Sequence, residues 1–333
     1  MIRRVLVILL ATAAVAGPVR SAPAAAPSAK GSFIFQFEND VLGKDASDRH
    51  YTNGMQISYQ TAANRVWGWL DSWARRHIFS DPDVQLHASM ALGHNLYTPE
   101  DIASSELVAD DRPYAAWLHA DLGMVGYQQD RLRVLELSVG VVGPAAGGEK
   151  MQKWFHEVIG SPDPQGWHNQ LRNEPAVMLV FEQKWRNLSG PRWLGLEFDA
   201  SPHGSLALGN VFTYAGLGGT LRLGQGLARD FGPPRIQPAP PGSGYFVPGG
   251  RFGWYLFAGM DGRMMLQNIF LDGNTFQDSH RVDKNLWVAD FVGGVAVAAH
   301  GVRLSATYVQ RTPEFKGQRR PDHFGSLAFS FRL

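Results

Sequence analysis

Cysteine is absent from the 333-residue chain. A small exported domain would normally be stapled by disulfides, so stability here has to come from another source. Also lacking, beyond the first 30 residues, is any apolar run of about 18 residues, which excludes a membrane-spanning helix. Neither sign of charge dominates: 31 Lys and Arg stand against 30 Asp and Glu, which gives no global case for nucleic acid as a partner. No Gly-x-Ser-x-Gly elbow, His-Glu-x-x-His pair or Walker A loop occurs, so an ordinary serine hydrolase is disfavoured.

What is present begins with an export signal. Arg3 and Arg4 precede an apolar run over residues 5–15, followed by small residues through Ala26. Residues 1–30 read as a secretory signal peptide, cleaved between about 22 and 30. Loss of Arg3, Arg4 and Arg20 takes the formal net charge from +1 to −2. With 37 Gly, 20 Pro and 11% aromatics, residues 31–333 read as strands and turns.

Several segments alternate with period two. Leu118, Ala120, Leu122 and Met124 oppose His119 and Asp121; Val302, Leu304, Ala306 and Tyr308 oppose Arg303, Ser305 and Thr307. The C-terminus sets Leu327, Phe329, Phe331 and Leu333 against Ala328, Ser330 and Arg332. A soluble sandwich shows the same alternation with its apolar face inward. The number of such segments, the signal peptide and the strand-final C-terminus favour lipid-out, lumen-in strands. The fold class is therefore all-β: one closed antiparallel transmembrane barrel of about twelve strands, of the bacterial outer-membrane type, over residues 31–333.

The expected strands are 31–38, 52–60, 84–95, 114–127, 131–143, 176–187, 192–200, 209–223, 251–265, 283–298, 301–311 and 323–333. By parity, the long connections 39–51, 96–113, 144–175 and 266–282 emerge together at the extracellular end. Residues 61–83 and 224–250 are long yet fall on the periplasmic side; the first has Val66, Trp69, Leu70 and Trp73 at the spacing of an interfacial helix. Three of the extracellular connections carry chemistry. Phe37-Glu38-Asn39-Asp40 and Asp48-Arg49-His50-Tyr51-Thr52-Asn53-Gly54 bring an amide, a carboxylate and a hydroxyl to the rim. These are the hard oxygen donors that Ca²⁺ takes, with Asp40 the candidate ligand; Asx residues at strand ends also simply cap turns. In the segment from Gly147 to His156, a helical turn sets Gln152 and His156 four apart on one face. His156 is the candidate general base, and it is also one of 11 histidines that could serve as a plain loop residue. Asp110-Asp111-Arg112-Pro113-Tyr114 opens a strand, with Arg112 either on a phosphate or paired to a neighbouring Asp.

The ordered set of these pieces resembles the outer-membrane lipid A 3′-O-deacylase family. It comprises Asn39-Asp40, Asp48-Arg49 with Tyr51-Thr52-x-Gly54, Tyr97-x-Pro99 and Asp111-Arg112. The longest piece is Val142-Gly143-Pro144-x-Ala146-Gly147-Gly148-x-x-x-Gln152-x-x-x-His156-x-x-Ile159-Gly160, continuing to Trp167 and Gln170. The resemblance implies a twelve-stranded barrel that removes the 3′ acyloxyacyl group of lipid A with a histidine base and Ca²⁺. Carried over by position, it implies that Asn39, Thr52, Gln152 and His156 are catalytic and that Asp40 holds the metal. One departure stands out: residues 98–111 contain no basic residue, where the family pattern has a lysine and an arginine. A lipid phosphate would then meet Arg112, Lys150 or Lys153. That departure keeps a phospholipid hydrolase in play, and a non-enzymatic small pore or scaffold is the third reading.

Overall fold

The computed structural model describes residues 30–43, 49–128, 130–193, 195–236, 246 and 252–333. Residues 1–29 of the expected signal peptide, residues 237–245 and 247–250 of the 224–250 connection, and Asp48 of the second rim motif lie outside these residues. The chain winds as an antiparallel meander: β1 (Ser32–Asn39), β2 (His50–Gln60), β3 (Gln85–Thr98), β4 (Ala115–Gln128), β5 (Arg131–Val142) and β6 (Glu174–Trp185). It continues through β7 (Asn187–Trp193), β8 (Leu196–Gly209), β9 (Phe212–Gln225), β10 (Gly253–Asn268), β11 (Trp287–Ala299), β12 (Val302–Arg311) and β13 (Asp322–Arg332). β1 pairs with β13 from Ser32↔Arg332 to Asn39↔Gly325 and closes the ring.

Thirteen segments make a twelve-position barrel because β6 and β7 share one position. β6 pairs with the C-terminal half of β8 (Met178↔Gly209 to Lys184↔His203), and β7 pairs only with its start (Asn187↔Ala200). The expectation of twelve strands holds, with both ends of the expected strand 192–200 displaced: the connection expected at 188–191 lies inside β7, and the strand's exit moves to Gly209. Residues 201–208 read as a connection because Pro202 and Gly204 look like turn residues. They lie instead inside β8, and the turn to β9 falls at Asn210 and Val211. Pro202 is opposite Gly219, and Gly204 opposite Leu217, in a continuous β8–β9 pairing. A closed wall has no free edge, so every segment long enough to cross must pair, whatever its local turn preference.

The alternation resolves as lipid-out. Leu92, Leu122, Leu217, Leu256 and Leu304 are exposed on the outer surface, and Phe33, Phe35, Phe329 and Phe331 stack across the closure seam. The inward residues are polar and buried. Asp290 binds Arg263 (2.9 Å), Arg311 (2.8 Å) and Arg235 (2.7 Å); Asp230 takes Arg303 at 3.0 Å and the Tyr255 hydroxyl at 2.9 Å. Arg235 and Asp230 come from the connection that follows β9, so that connection folds up into the lumen. There the Ile236 N–H donates to Glu38 (3.0 Å) and Phe231 packs on Tyr127. The described interior is a packed ionic core rather than an aqueous channel.

Two outcomes check this core. Asp290→Ala leaves buried Arg263 and Arg311, and half-buried Arg235, without their shared counter-ion and should cost about 3–5 kcal/mol in the urea unfolding of the heat-modifiable barrel. The wild-type protein in planar bilayers should show no steady porin-type conductance.

Candidate active site

The strand ends build one half of the site. Phe33, Phe35 and Phe37 of β1 point outward, so Asn39, next in the same alternation, lies on the outer face of the rim, where it is fully covered. Its Oδ1 accepts from the Val41 N–H (2.8 Å) and opens a short 3-10 turn, Asp40–Leu42. Asp40 is buried, and its Oδ2 accepts from the Arg49 N–H at 2.8 Å, tying the two ends of the first connection together. Opposite Asn39 in register is Asn53. Thr52 beside it is the extra residue of a β-bulge, since Tyr51 pairs with Tyr97 but Asn53 pairs with Leu96. The bulge turns Thr52 to the outer side, where its hydroxyl meets that of Thr98 at 2.7 Å.

His50 clamps this edge from the other side. It sits at φ +61°, a left-handed conformation rare for a non-glycine residue. Its Nδ1 lies 2.7 Å from Asp322 and its Nε2 3.4 Å from Asp111. Burial alone would raise the Asp111 carboxyl. The bond to and charge of His50, with the N–H groups of Glu100 and Arg112, outweigh it and hold Asp111 below the ordinary carboxylate range.

The other half is a helix laid on the outside of the barrel. After β5 the chain turns through Gly143, a 3-10 turn over Pro144–Ala146 and Gly147 at φ +73°, into α2 (Gly148–Ile159), which ends at Gly160, φ +72°. Ala146 and Met151 pack with Trp167 and Tyr114 against Leu96 and Ala116, outward residues of β3 and β4. A Cβ at Gly148 would stand 2.5 Å from the Ala116 methyl and 2.5 Å from the Trp167 ring, so only glycine permits this approach. His94 reaches the Ala146 carbonyl at 2.8 Å, and Phe155 lies 5.9 Å from Phe37. The helix therefore lies on the outer wall over β3 and β4 and reaches β1 at Phe37.

Gln152 and His156 are both fully buried on the wall-facing side of α2. Gln152 Oε1 accepts from the Trp167 indole N–H (2.7 Å), while its Nε2 has no protein partner. His156 Nδ1 lies 2.5 Å from the Pro162 carbonyl. A carbonyl only accepts, so Nδ1 carries the proton and the lone pair of the neutral ring is on Nε2. Gln152 is turned to Trp167, and the backbone turn after α2 orients the imidazole. Asn39, Asp40 and Thr52 stand at the ends of β1 and β2, and Gln152 and His156 lie on the buried face of the helix that follows β5, so all five sit at the same end of the barrel. The sequence reading placed them at that rim without choosing inside or outside.

Between α2 and the wall runs an apolar groove of about 1210 Å³, lined by Lys150, Met151 and Trp154 of the helix and by Phe35, Phe37, Ile57, Leu92 and other outward residues. Among the described residues Lys150 is its single charged lining residue. Lys153 is held by Glu149 (2.7 Å), and Arg112 is buried in an ion pair with Glu314 (2.8 Å), away from the groove. Arg112 therefore pairs, but with Glu314 rather than with Asp110 or Asp111.

Among the described residues no three His, Asp or Glu side chains converge as a metal cage. A Ca²⁺ site with one carboxylate and several neutral oxygens remains compatible with the residues present. Asp40 offers the carboxylate and Thr52 a hydroxyl, and Asn53 Oδ1 is a buried acceptor with no hydrogen-bond partner. Asn53, Trp167, Thr98 and Pro162 were not singled out for roles from the sequence. Asn53 stood inside a quoted motif, and its register opposite Asn39 is the signal that distinguishes it.

The fold defines an outer-membrane barrel with buried polar residues at one rim and an apolar groove on its outer wall. The model of the family described as "Outer membrane protein LpxR" matches residues 6–333. The chain belongs to this family, the lipid A 3′-O-deacylase family that its motifs resemble. The solved structure of LpxR from Salmonella typhimurium has a TM-score of 0.73 at 23% identity, covering 91% of this chain and 100% of that one. Weaker likenesses include the β domain of the Bordetella autotransporter BrkA (TM-score 0.44, 10% identity, 91% of this chain, 98% of that one). Another is the COG4313 outer membrane channel of Pseudomonas putida F1 (TM-score 0.43, 8% identity, 96% and 99%). The search of curated proteins found no match.

The helix docking can be checked without any assay of chemistry. Trp167→Phe removes the donor to a buried amide oxygen, at a cost of about 1–3 kcal/mol. Limited proteolysis within residues 143–173 should accelerate while the barrel keeps its heat-modifiable migration.

Proposed function

We propose that the protein is a Ca²⁺-dependent ester hydrolase that removes the 3′-linked acyloxyacyl group from lipid A in the outer leaflet. The observation that carries this reading is the His156 ring, buried on α2 with Nδ1 on the Pro162 carbonyl, on a helix whose Met151 and Trp154 line an apolar groove on the lipid-facing wall. The acyl chains would lie along Phe35, Phe37, Ile57 and Leu92, and the sugar headgroup at the rim.

Nε2 of His156 takes a proton from water as its oxygen bonds to the ester carbonyl carbon. The carbonyl oxygen becomes an oxyanion. Gln152 Nε2 and Asn39 Nδ2 are two buried amide donors without hydrogen-bond partners, and these would receive it. As the intermediate collapses, the carbon–oxygen bond to the sugar breaks. The imidazolium returns its proton to the departing 3′-hydroxyl oxygen, and the acid leaves as a carboxylate. Ca²⁺, held by Asp40 with Thr52 and Asn53 oxygens, would add positive charge where the oxyanion develops. Thr52 and Thr98 fix each other and hold the bulge in shape.

A phospholipid hydrolase is the second reading, favoured by the lack of a basic residue over 98–111, which leaves Lys150 as the groove's cation. The packed lumen counts against the pore.

In a host with hexa-acylated lipid A, expression should produce one discrete mass loss corresponding to the 3′ acyloxyacyl group. His156→Ala should lower turnover by about 10²–10⁴-fold with the barrel folded; wild-type turnover in that variant would remove His156 from the mechanism. Loss of acyl chains from phospholipid alone would replace the substrate. Asp40→Ala and exhaustive chelation should each abolish turnover, and full activity after chelation would remove the metal.

A further inference from the structure

A second helix lies on the outside of the barrel at the opposite end. α1 (Gly68–His77) belongs to the connection between β2 and β3, on the side of the short turns, the periplasmic side. Ala74 and Phe79 are fully buried there, packed with Val84, Leu86 and Met124 and flanked by Val66, Leu70, Ile78 and Leu135. Leu86, Met124 and Leu135 are outward residues of β3, β4 and β5. The stripe Val66, Leu70, Ala74 and Ile78 therefore faces the lipid side of the wall, not the lumen. Arg133, another outward residue of β5, donates to the Ile78 carbonyl (3.2 Å) and to Asp81 (3.1 Å) and pins the end of the helix there.

The stripe beside it has no protein cover. Trp69 is 73% exposed, Trp73 43%, and Trp67 at the helix start 58%. Along the same three strands the exposed Met90, Leu122 and Leu137 continue this surface into the lipid-facing belt. Arg65, Arg76 and His77 are exposed around the tryptophans, and Arg75 is tied to Asp71 at 2.9 Å. Tryptophan suits the depth where acyl chains give way to headgroups, because the ring is apolar and its N–H is polar. Exposed arginines at that depth complement lipid phosphates.

We propose that α1 is an interfacial helix. Trp67, Trp69 and Trp73 insert into the headgroup region of the inner leaflet of the outer membrane, and the phospholipid of that leaflet is the partner. Lipid is chosen over a periplasmic protein because the tryptophan stripe is continuous with the lipid-facing belt and the helix is seated on the outer wall. A periplasmic partner would be met by a helix hanging below the barrel.

The absence of native cysteine permits a direct test. Trp69→Cys, Trp73→Cys and Ser72→Cys, each carrying one nitroxide, are reconstituted in phosphatidylethanolamine–phosphatidylglycerol vesicles. Labels at 69 and 73 should be relaxed more by oxygen than by a water-soluble nickel chelate, and the label at 72 the reverse. Equal nickel accessibility at all three positions would overturn the proposal and leave the stripe open to water or to a soluble partner. Where a labelled variant fails the heat-modifiability check, brominated-lipid quenching decides instead. The Trp67→Phe/Trp69→Phe/Trp73→Phe protein should lose a quenchable part of the wild-type tryptophan emission; unchanged quenching would overturn it.

Discussion

Everything in this molecule follows from one constraint: a backbone crossing hydrocarbon must satisfy all of its N–H and C=O groups within the wall. Closure of β1 on β13 meets it, and closure inverts the usual placement of side chains. Aliphatic and aromatic groups go outward, and the interior becomes the only place for Asp199, Arg222, Asp230, Arg263, Asp290, Arg303 and Arg311. Such charges are tolerable only in compensated groups, and here Asp230 and Asp290 are each shared by more than one guanidinium while Asp199 is held by Arg222. An interior consumed by structural ion pairs has no room for a substrate, so the site was driven to the rim.

At the rim the outer face becomes useful. Polar residues on the lipid side of a barrel are costly unless covered. α2 packs on the outer wall at that end and buries Gln152 and His156 on its inner side. The glycine at 148 and the pairing of Gln152 with Trp167 set how closely the helix sits. Desolvation of the site is thus a consequence of its location, and a water-excluded pocket is where oriented donors act most strongly on a developing charge.

Much of this was legible in the residues. Period-two alternation gave the wall, and loop parity correctly grouped Asn39, Thr52 and His156 at one end. Legibility failed where tertiary pairing overrode local preference. Pro202 and Gly204 carry a turn signature yet lie within β8, and Arg186 interrupts one strand position without a sequence marker. The outward turn of Thr52 depends on a bulge, which shows only in the β2–β3 register. Trp167 and Pro162 position Gln152 and His156 through a donor and a carbonyl several residues away, contacts that no spacing rule encodes. The plug could not be read because an irregular Pro/Gly-rich stretch gives no hint that Arg235 will seek Asp290.

The groove under α2 opens sideways rather than upward. A cavity with that aspect samples a two-dimensional fluid, so its occupancy is set by mole fraction in the leaflet and not by any bulk concentration. A ligand reaches it by lateral diffusion without leaving the hydrocarbon, and whatever leaves it re-enters the same leaflet. Dilution of the membrane with inert lipid should then weaken occupancy as surely as dilution in water weakens a soluble receptor, while added buffer volume changes nothing.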